Sequence, residues 1–128
     1  PRKLGCTIFT AGCNFLCPFC HNSELVVPEK IKQLKLIPEE EVFSFLKERK
    51  KYLEGVCITG GEPTIHEDLP DFIKKIKEIG YLVKLDTNGS NPAMLQELIM
   101  ARLINYVAMD LKAPKERYPE VVGREIDV

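Results

Sequence analysis

The sequence carries no surplus of either charge. Its 18 lysines and arginines stand against 19 aspartates and glutamates, a formal net charge of −1 over 128 residues. Such a balance offers no basic field for nucleic acid or for an anionic membrane surface. No apolar run approaches the roughly 18 residues that a membrane-spanning helix requires. There is no internal repeat beyond the alternation described below, no low-complexity tract and no linker. An export signal is not expected either. Arg2 and Lys3 followed by "LGCTIFTAGC" imitate a lipoprotein leader ending at Cys13, but the apolar part is short and Cys6, Thr7 and Thr10 interrupt it. Cys13 also has two close companions that a lipid anchor would not need.

What is present has a globular composition, 45% hydrophobic, at the length of one domain over residues 1–128. Five cysteines is an odd number, and Cys13, Cys17 and Cys20 are clustered. That usage suits a cofactor in a reducing cytoplasm better than a disulfide framework. Neither Pro1 nor Val128 resembles a natural boundary, so the chain is expected to be the N-terminal portion of a longer protein.

Four short runs predict strands: "CTIFT" at 6–10, "VCITG" at 56–60, "LVKLD" at 82–86 and "YVAMD" at 106–110. They are rich in aliphatic and β-branched residues and too short for helices. Helical patterns lie between them. One begins at Pro38 with Glu39, Glu40 and Glu41 at the positive end of its dipole, and places Val42, Phe45, Leu46 and Leu53 on one face. A second sets Leu69, Phe72, Ile73, Ile76 and Ile79 opposite a lysine-rich face and stops at Gly80. A third is capped by Asn91, has Pro92 in its first turn, and buries Leu95, Leu98 and Ile99. A long loop separates the first strand from the first helix. Strands alternating with helices predict an α/β chain with a parallel sheet covered by helices.

In such folds function gathers at the carboxyl ends of the strands. The unusual residues fall there each time: the cysteines after the first strand, "GGEP" after the second, "DTNG" closing the third and "DLK" closing the fourth. Cys6 and Cys57, within strands, are expected as buried thiols, and His66 as a surface residue.

Taken alone, "CNFLCPFCHN" at 13–22 admits several chemistries. Cys13, Cys17, Cys20 and His21 could close a zinc tetrahedron and stabilise an α/β binding module. "CPFCH" matches the attachment motif of c-type haem, which usually accompanies export. "CPFC" after a strand suits a redox dithiol but leaves Cys13 unused. An iron–sulfur cluster with three thiolate ligands would leave one iron open for a small molecule.

The motifs together resemble the radical S-adenosylmethionine enzymes. Cys13, Cys17 and Cys20, spaced by three and two residues with the aromatic Phe19 before the last, match that family's first signature, and Gly60 to Pro63 match its second. "GCNFLCPFCHN", "TGGEP", "LDTNG" and "MDLKAP" look like the subgroup that activates glycyl radical enzymes, typified by the activases of pyruvate formate-lyase and anaerobic ribonucleotide reductase.

This resemblance implies a partial TIM-type barrel of six strand–helix units, of which about the first four are present. It implies a [4Fe-4S] cluster held by Cys13, Cys17 and Cys20, with S-adenosylmethionine as cofactor. Phe19 would lie beside the adenine, with backbone around Cys20 and His21 reading its edge. Gly60 and Gly61, opening "GGEP" ahead of Pro63, would let the strand end approach the methionine ammonium, with Glu62 adding a carboxylate. Asp86, Thr87, Asp110 and Lys112 would bind the ribose and carboxylate end, in part through a monovalent cation. Asn88 and Gly89 are expected to shape a turn. The implied reaction is reductive cleavage of the cofactor to a 5′-deoxyadenosyl radical, which takes hydrogen from a glycine of a partner glycyl radical enzyme. The electron would come from a flavodoxin- or ferredoxin-type donor, and no general acid or base beyond the cofactor ligands is needed. A small-molecule or peptide substrate is the alternative within the same family.

Overall fold

The computed structural model describes residues 3–125; Pro1, Arg2 and residues 126–128, the outer limits of the expected domain, lie outside the described residues. Strands β1 (Gly5–Thr10), β2 (Gly55–Gly60), β3 (Leu82–Thr87) and β4 (Tyr106–Met109) form one sheet in the order β1-β2-β3-β4, and every pair is parallel. Thr10 pairs with Gly60, Ile58 with Leu85 and Thr87 with Met109, so the four carboxyl ends come out on one rim. Helices α1 (Pro28–Ile31), α2 (Glu39–Arg49), α3 (Leu69–Glu78), α4 (Pro92–Met100) and α5 (Tyr118–Val122) complete the chain. This is the α/β architecture of a partial TIM-type barrel, with its first four strands. No described helix is long and apolar enough to cross a membrane.

The sheet is two-faced because side chains alternate along each strand. Val56, Ile58, Val83 and Leu85 are buried against Leu46 of α2, Leu69, Ile73 and Ile76 of α3 and Leu98 of α4. The other face carries Cys57, Thr59, Lys84 and Asp86, all partly exposed. Tyr81, just before β3, donates its hydroxyl to the Leu46 carbonyl at 2.6 Å and locks the end of α2 to the sheet.

The helix ends follow the expected chemistry in two cases. Asn91 Oδ1 accepts from the Met94 N–H at 3.1 Å, and Gly80 ends α3 with φ +98°. Pro38 sits outside its helix as an extended cap, with ψ 146°, rather than in the first turn.

Several expectations need correction. Phe45 is 45% exposed, and the α2 face that meets the core is Val42, Phe43 and Leu46. Phe43 stacks obliquely on Phe72 with ring centroids 5.3 Å apart, while the Arg49 guanidinium covers Phe45 at 5.7 Å. On α4 the buried stripe is Met94, Leu95 and Leu98, and Ile99, one step further round, is 52% exposed. The long loop after β1 contains a 3₁₀ turn (Ser23–Leu25) and α1. Cys6 and Cys57 are half-buried; Cys6 packs on the core, whereas Cys57 lies on the opposite face beside Asp86. His66 is partly buried, its Nε2 3.0 Å from the Ala11 carbonyl oxygen, and so it ties the β2 exit to the β1 exit.

The two faces of the helices predict a contrast. Ile73→Ala, at a side chain with no exposure, should cost about 2–5 kcal/mol through lost burial and the cavity left behind. Ile99→Ala should stay within about 1 kcal/mol. Urea unfolding midpoints of the two variants check this.

Candidate functional site

The β1 and β2 exits are bonded beyond the sheet itself. The Gly61 N–H donates to the Thr10 carbonyl at 2.9 Å and the Glu62 N–H to the Gly12 carbonyl at 2.8 Å. Gly12, with φ +96°, donates to the Leu25 carbonyl at 2.6 Å. Gly60 has φ +125°, and a β-carbon there would overlap the Thr10 backbone, while one at Gly61 would overlap the Gly12 carbonyl oxygen. These glycines therefore permit a close approach of the chain's own backbone.

Glu62 is 1% exposed. Its Oε1 accepts from the Thr64 N–H at 3.0 Å, the Thr64 hydroxyl at 2.5 Å and the Thr87 hydroxyl at 2.7 Å, and its Oε2 accepts from the Asn88 N–H at 2.6 Å. A buried carboxylate is tolerated only with such compensation. Its bonds go into the protein and fasten the end of β3 to the end of β2. The Thr87 hydroxyl is likewise spent on Glu62 and also accepts from the Gly89 N–H at 3.1 Å. Pro63 is buried at the start of a 3₁₀ turn, Pro63–Ile65, and does not reach the cavity described next.

A cavity of about 390 Å³ opens on the rim. Its lining includes Cys13, Cys17, Phe19, Cys20 and His21 from the first loop; Gly60, Gly61 and Glu62 from the second; Asp86 and Thr87 from the third; and Asp110 and Lys112 from the fourth. Apart from Pro63, residues expected from four separate stretches of sequence thus line one cavity. Phe19 is 53% exposed, so it does not seal the core. His21 is exposed. β4 ends at Met109, one residue short of Asp110, whose N–H donates to the Thr87 carbonyl at 3.0 Å. Lys112 Nζ pairs with Asp110 Oδ2 at 2.7 Å. Burial works against the Lys112 charge, but the hydrogen bond and charge of Asp110 outweigh it and raise the ammonium above its ordinary range.

The lining also holds residues that no motif flagged. Thr59 and Ala108 flank Asp86 on the open face of the sheet, and period-two alternation along β2 and β4 was the signal for them. Asn88 does shape a turn, its Oδ1 accepting from the Ser90 N–H at 2.9 Å, but its amide also donates to Asn14 Oδ1 at 3.0 Å. Asn14 in turn donates to the Ser90 hydroxyl at 2.7 Å. Lys84, below the cavity, is paired with Asp86, and its Nζ lies 3.6 Å from the Cys57 sulfur. Cys57 is 3.5 Å from Asp86 Oδ2, and its thiol is pushed up by burial first and then by that carboxylate. The bond to Asp86 raises Lys84.

The three loop cysteines are free thiols, each half-buried. Burial raises Cys13 and Cys17, and neighbouring thiols add to it, while Lys112 opposes the rise at Cys17. Among the described residues no three His, Cys, Asp or Glu side chains converge closely enough to hold a single metal ion. The tetrahedron Cys13, Cys17, Cys20 and His21 is therefore not assembled. A cubane cluster spreads its irons over separated corners, so its thiolates stand farther apart than the ligands of one ion. Three free thiols on one wall of an open cavity fit that group.

The sequence profile of the radical SAM superfamily matches residues 7–128. A candidate glycyl-radical enzyme activating enzyme of Methanocaldococcus jannaschii is 38% identical over 126 residues, 95% of this chain and 49% of that protein. A 7-carboxy-7-deazaguanine synthase of Aquifex aeolicus is 35% identical over 81 residues, 62% of this chain and 33% of that protein. Crystal structures of Streptococcus suis SuiB superpose on the fold. The form bound to S-adenosylmethionine gives a TM-score of 0.67 at 20% identity, covering 97% of this chain and 27% of SuiB. The form bound to the precursor peptide SuiA gives 0.68. At such identity the likeness establishes the fold alone. The chain spans about half the length, or less, of these curated relatives.

Removing the Glu62 carboxylate should loosen the rim. Glu62→Ala leaves four donors without their acceptor and should lower stability by about 2–4 kcal/mol. Glu62→Gln, which retains one acceptor oxygen, should cost less. Guanidinium unfolding curves would separate the two, with slopes unchanged if only stability is altered.

Proposed function

The chain belongs to the radical SAM superfamily, and from that premise we propose that it is the N-terminal portion of a glycyl radical activase. In this reading S-adenosylmethionine is cleaved reductively to a 5′-deoxyadenosyl radical, which removes hydrogen from a glycine α-carbon of a partner of the pyruvate formate-lyase or anaerobic ribonucleotide reductase type. The observation that carries it is the single cavity lined by residues from all four strand ends. The activase branch is favoured by the name of the M. jannaschii relative.

The family implies a [4Fe-4S] cluster and S-adenosylmethionine, and Cys13, Cys17 and Cys20 would hold the cluster. When bound, such a cluster supplies one electron to the sulfonium and leaves one iron free of protein ligands for the cofactor. The chain's own residues bind and orient. Asp86 and Lys112 offer opposite charges to a methionine end that is itself zwitterionic. Gly60 and Gly61 present strand-end backbone to its ammonium. In this reading Asp110 takes the ribose or a monovalent cation, and Phe19 gives the adenine an apolar plane, with backbone around Cys20 and His21 reading its edge. Glu62 acts at one remove, holding Thr87 and Asn88. A flavodoxin- or ferredoxin-type protein would deliver the electron.

A second reading keeps the chemistry and changes the substrate to a small molecule or peptide. It is favoured by the Aquifex aeolicus relative's name.

Anaerobic reconstitution with iron and sulfide, followed by low-temperature EPR after reduction, tests the proposal. A cubane signal that shifts on adding S-adenosylmethionine is expected, and Cys→Ala changes at Cys13, Cys17 or Cys20 should abolish it. Asp86→Asn or Lys112→Ala should raise the cofactor concentration for half the shift by about tenfold, the effect of losing about 1.4 kcal/mol. A colourless protein with stoichiometric zinc would overturn the family chemistry for this chain. Cofactor cleavage without a glycyl radical signal on either candidate partner would favour the second reading.

A further inference from the structure

We infer that Tyr118, together with Val122 and Gly123 of the segment after β4, is a positioning element that clamps the Asn14–Leu16 span of the cysteine loop and couples it to Lys112. The inference rests on the reading of Cys13, Cys17 and Cys20 as cluster ligands.

Phe15, Tyr118 and Val122 form a second small core, at 2%, 4% and 0% exposure, with Cys13, Cys17 and Ala113 packed against it. It is separate from the core beneath the sheet. The Phe15 and Tyr118 rings meet edge to face, centroids 6.3 Å apart at 73°, a favoured aromatic geometry. The Leu16 N–H donates to the Val122 carbonyl at 2.8 Å. Gly123 turns the chain away at φ +68°, and a β-carbon there would come 2.8 Å from the Leu16 carbonyl oxygen. On the opposite side, Asn14 is tied to Asn88 and Ser90.

All three residues between the first two cysteines are thus fastened, each to a different partner. The span between the second and third is different in kind. Pro18 and Phe19 are exposed, and the Cys20 N–H closes a turn on the Cys17 carbonyl at 3.0 Å. One half of the loop is fastened to the rest of the chain, and in the other half Pro18, Phe19 and His21 are exposed around a half-buried Cys20. Fixing Cys13 and Cys17 in advance removes part of the ordering cost that the cluster would otherwise meet.

Ordinary packing would account for the Tyr118 ring but not for its hydroxyl, which accepts the Lys112 N–H at 3.2 Å. The same side chain therefore touches the cysteine loop with its ring and the Lys112 backbone with its oxygen.

The test is alkylation by N-ethylmaleimide of the full chain, metal-free and folded by circular dichroism, with each thiol followed by peptide mass and Cys6 as internal reference. Tyr118→Ala should speed Cys13 and Cys17 relative to Cys6 by about tenfold through local opening, with Cys20 changed by less than about twofold. Tyr118→Phe should restore the original ratios. After reconstitution, however, the Phe variant should raise the S-adenosylmethionine concentration for half the EPR shift by about threefold, because the Lys112 backbone has lost its acceptor. Gly123→Ala, which leaves the aromatic pair intact and presses on Leu16, should also accelerate Cys17. Unchanged ratios in Tyr118→Ala and Gly123→Ala would overturn the clamp, as would a parallel rise of all five thiols. If Tyr118→Ala does not fold, Gly123→Ala and Tyr118→Phe decide by the same criteria. Should the alkylation pattern hold while the unsubstituted chain gives no cofactor-responsive signal, the clamp stands and the proposed function falls.

Discussion

Glu62 takes four hydrogen bonds on one carboxylate at 1% exposure, and the loops that build the rim depend on it. Parallel strands end level on one side of a sheet, but their exits are loops with no ladder to hold them. The β1 exit reaches Glu62 through the backbone bond from Glu62 N–H to Gly12, and the β3 exit through Thr87 and Asn88. From Asn88 the connection continues to Asn14 and so into the cysteine loop. A single buried residue, through its backbone N–H and its carboxylate, therefore joins three of the four stretches that line the cavity. Its burial excludes water from those bonds, and in the low dielectric of the interior each is stronger than an exposed equivalent.

The same motifs serve folding and site at once. Gly60 and Gly61 would be read from sequence as making room for a ligand, yet what fills the space where their β-carbons would be is Thr10 and Gly12 backbone. These demands are compatible, because bringing the two exits into contact is what gives the cavity a continuous wall. A glycine pair with a carboxylate directly after it is thus a compact way to lock two strand ends together while leaving backbone exposed above them.

Much of this was legible in the sequence, for a physical reason. The strands announce themselves by short-range alternation and the helices by three- and four-residue spacing, and the site motifs occupy consecutive positions at strand ends. What escaped were pairings between distant positions. Phe15 and Tyr118 come from opposite ends of the chain, and nothing local in "NFL" or "RYPEVV" marks them as partners. Asn14 with Asn88, and Cys57 with Lys84 and Asp86, are of the same kind. The errors on the helices were of rotation. Phe45 and Ile99 are apolar and close to the buried stripe, but a residue one step round a helix turns by about 100°, enough to trade the sheet for solvent.

Two of the carboxylates that line the cavity, Glu62 and Asp86, show how environment separates roles that composition cannot. Glu62 is buried and its bonds come from neutral donors of the protein itself. Asp86 has a cation, Lys84, and both side chains are partly exposed, at 33% and 40%. Ion pairs that exposed contribute little, about 0–1 kcal/mol, so the Lys84 partnership is easily surrendered. An ammonium entering from the cavity would meet a carboxylate that already has a cation as its partner. Exchanging one cation for another leaves the local charge balance unchanged. On the proposed reading, that is why the chain can keep a negative charge at the base of its cavity before a cofactor arrives, while the carboxylate that shapes the cavity stays out of the exchange.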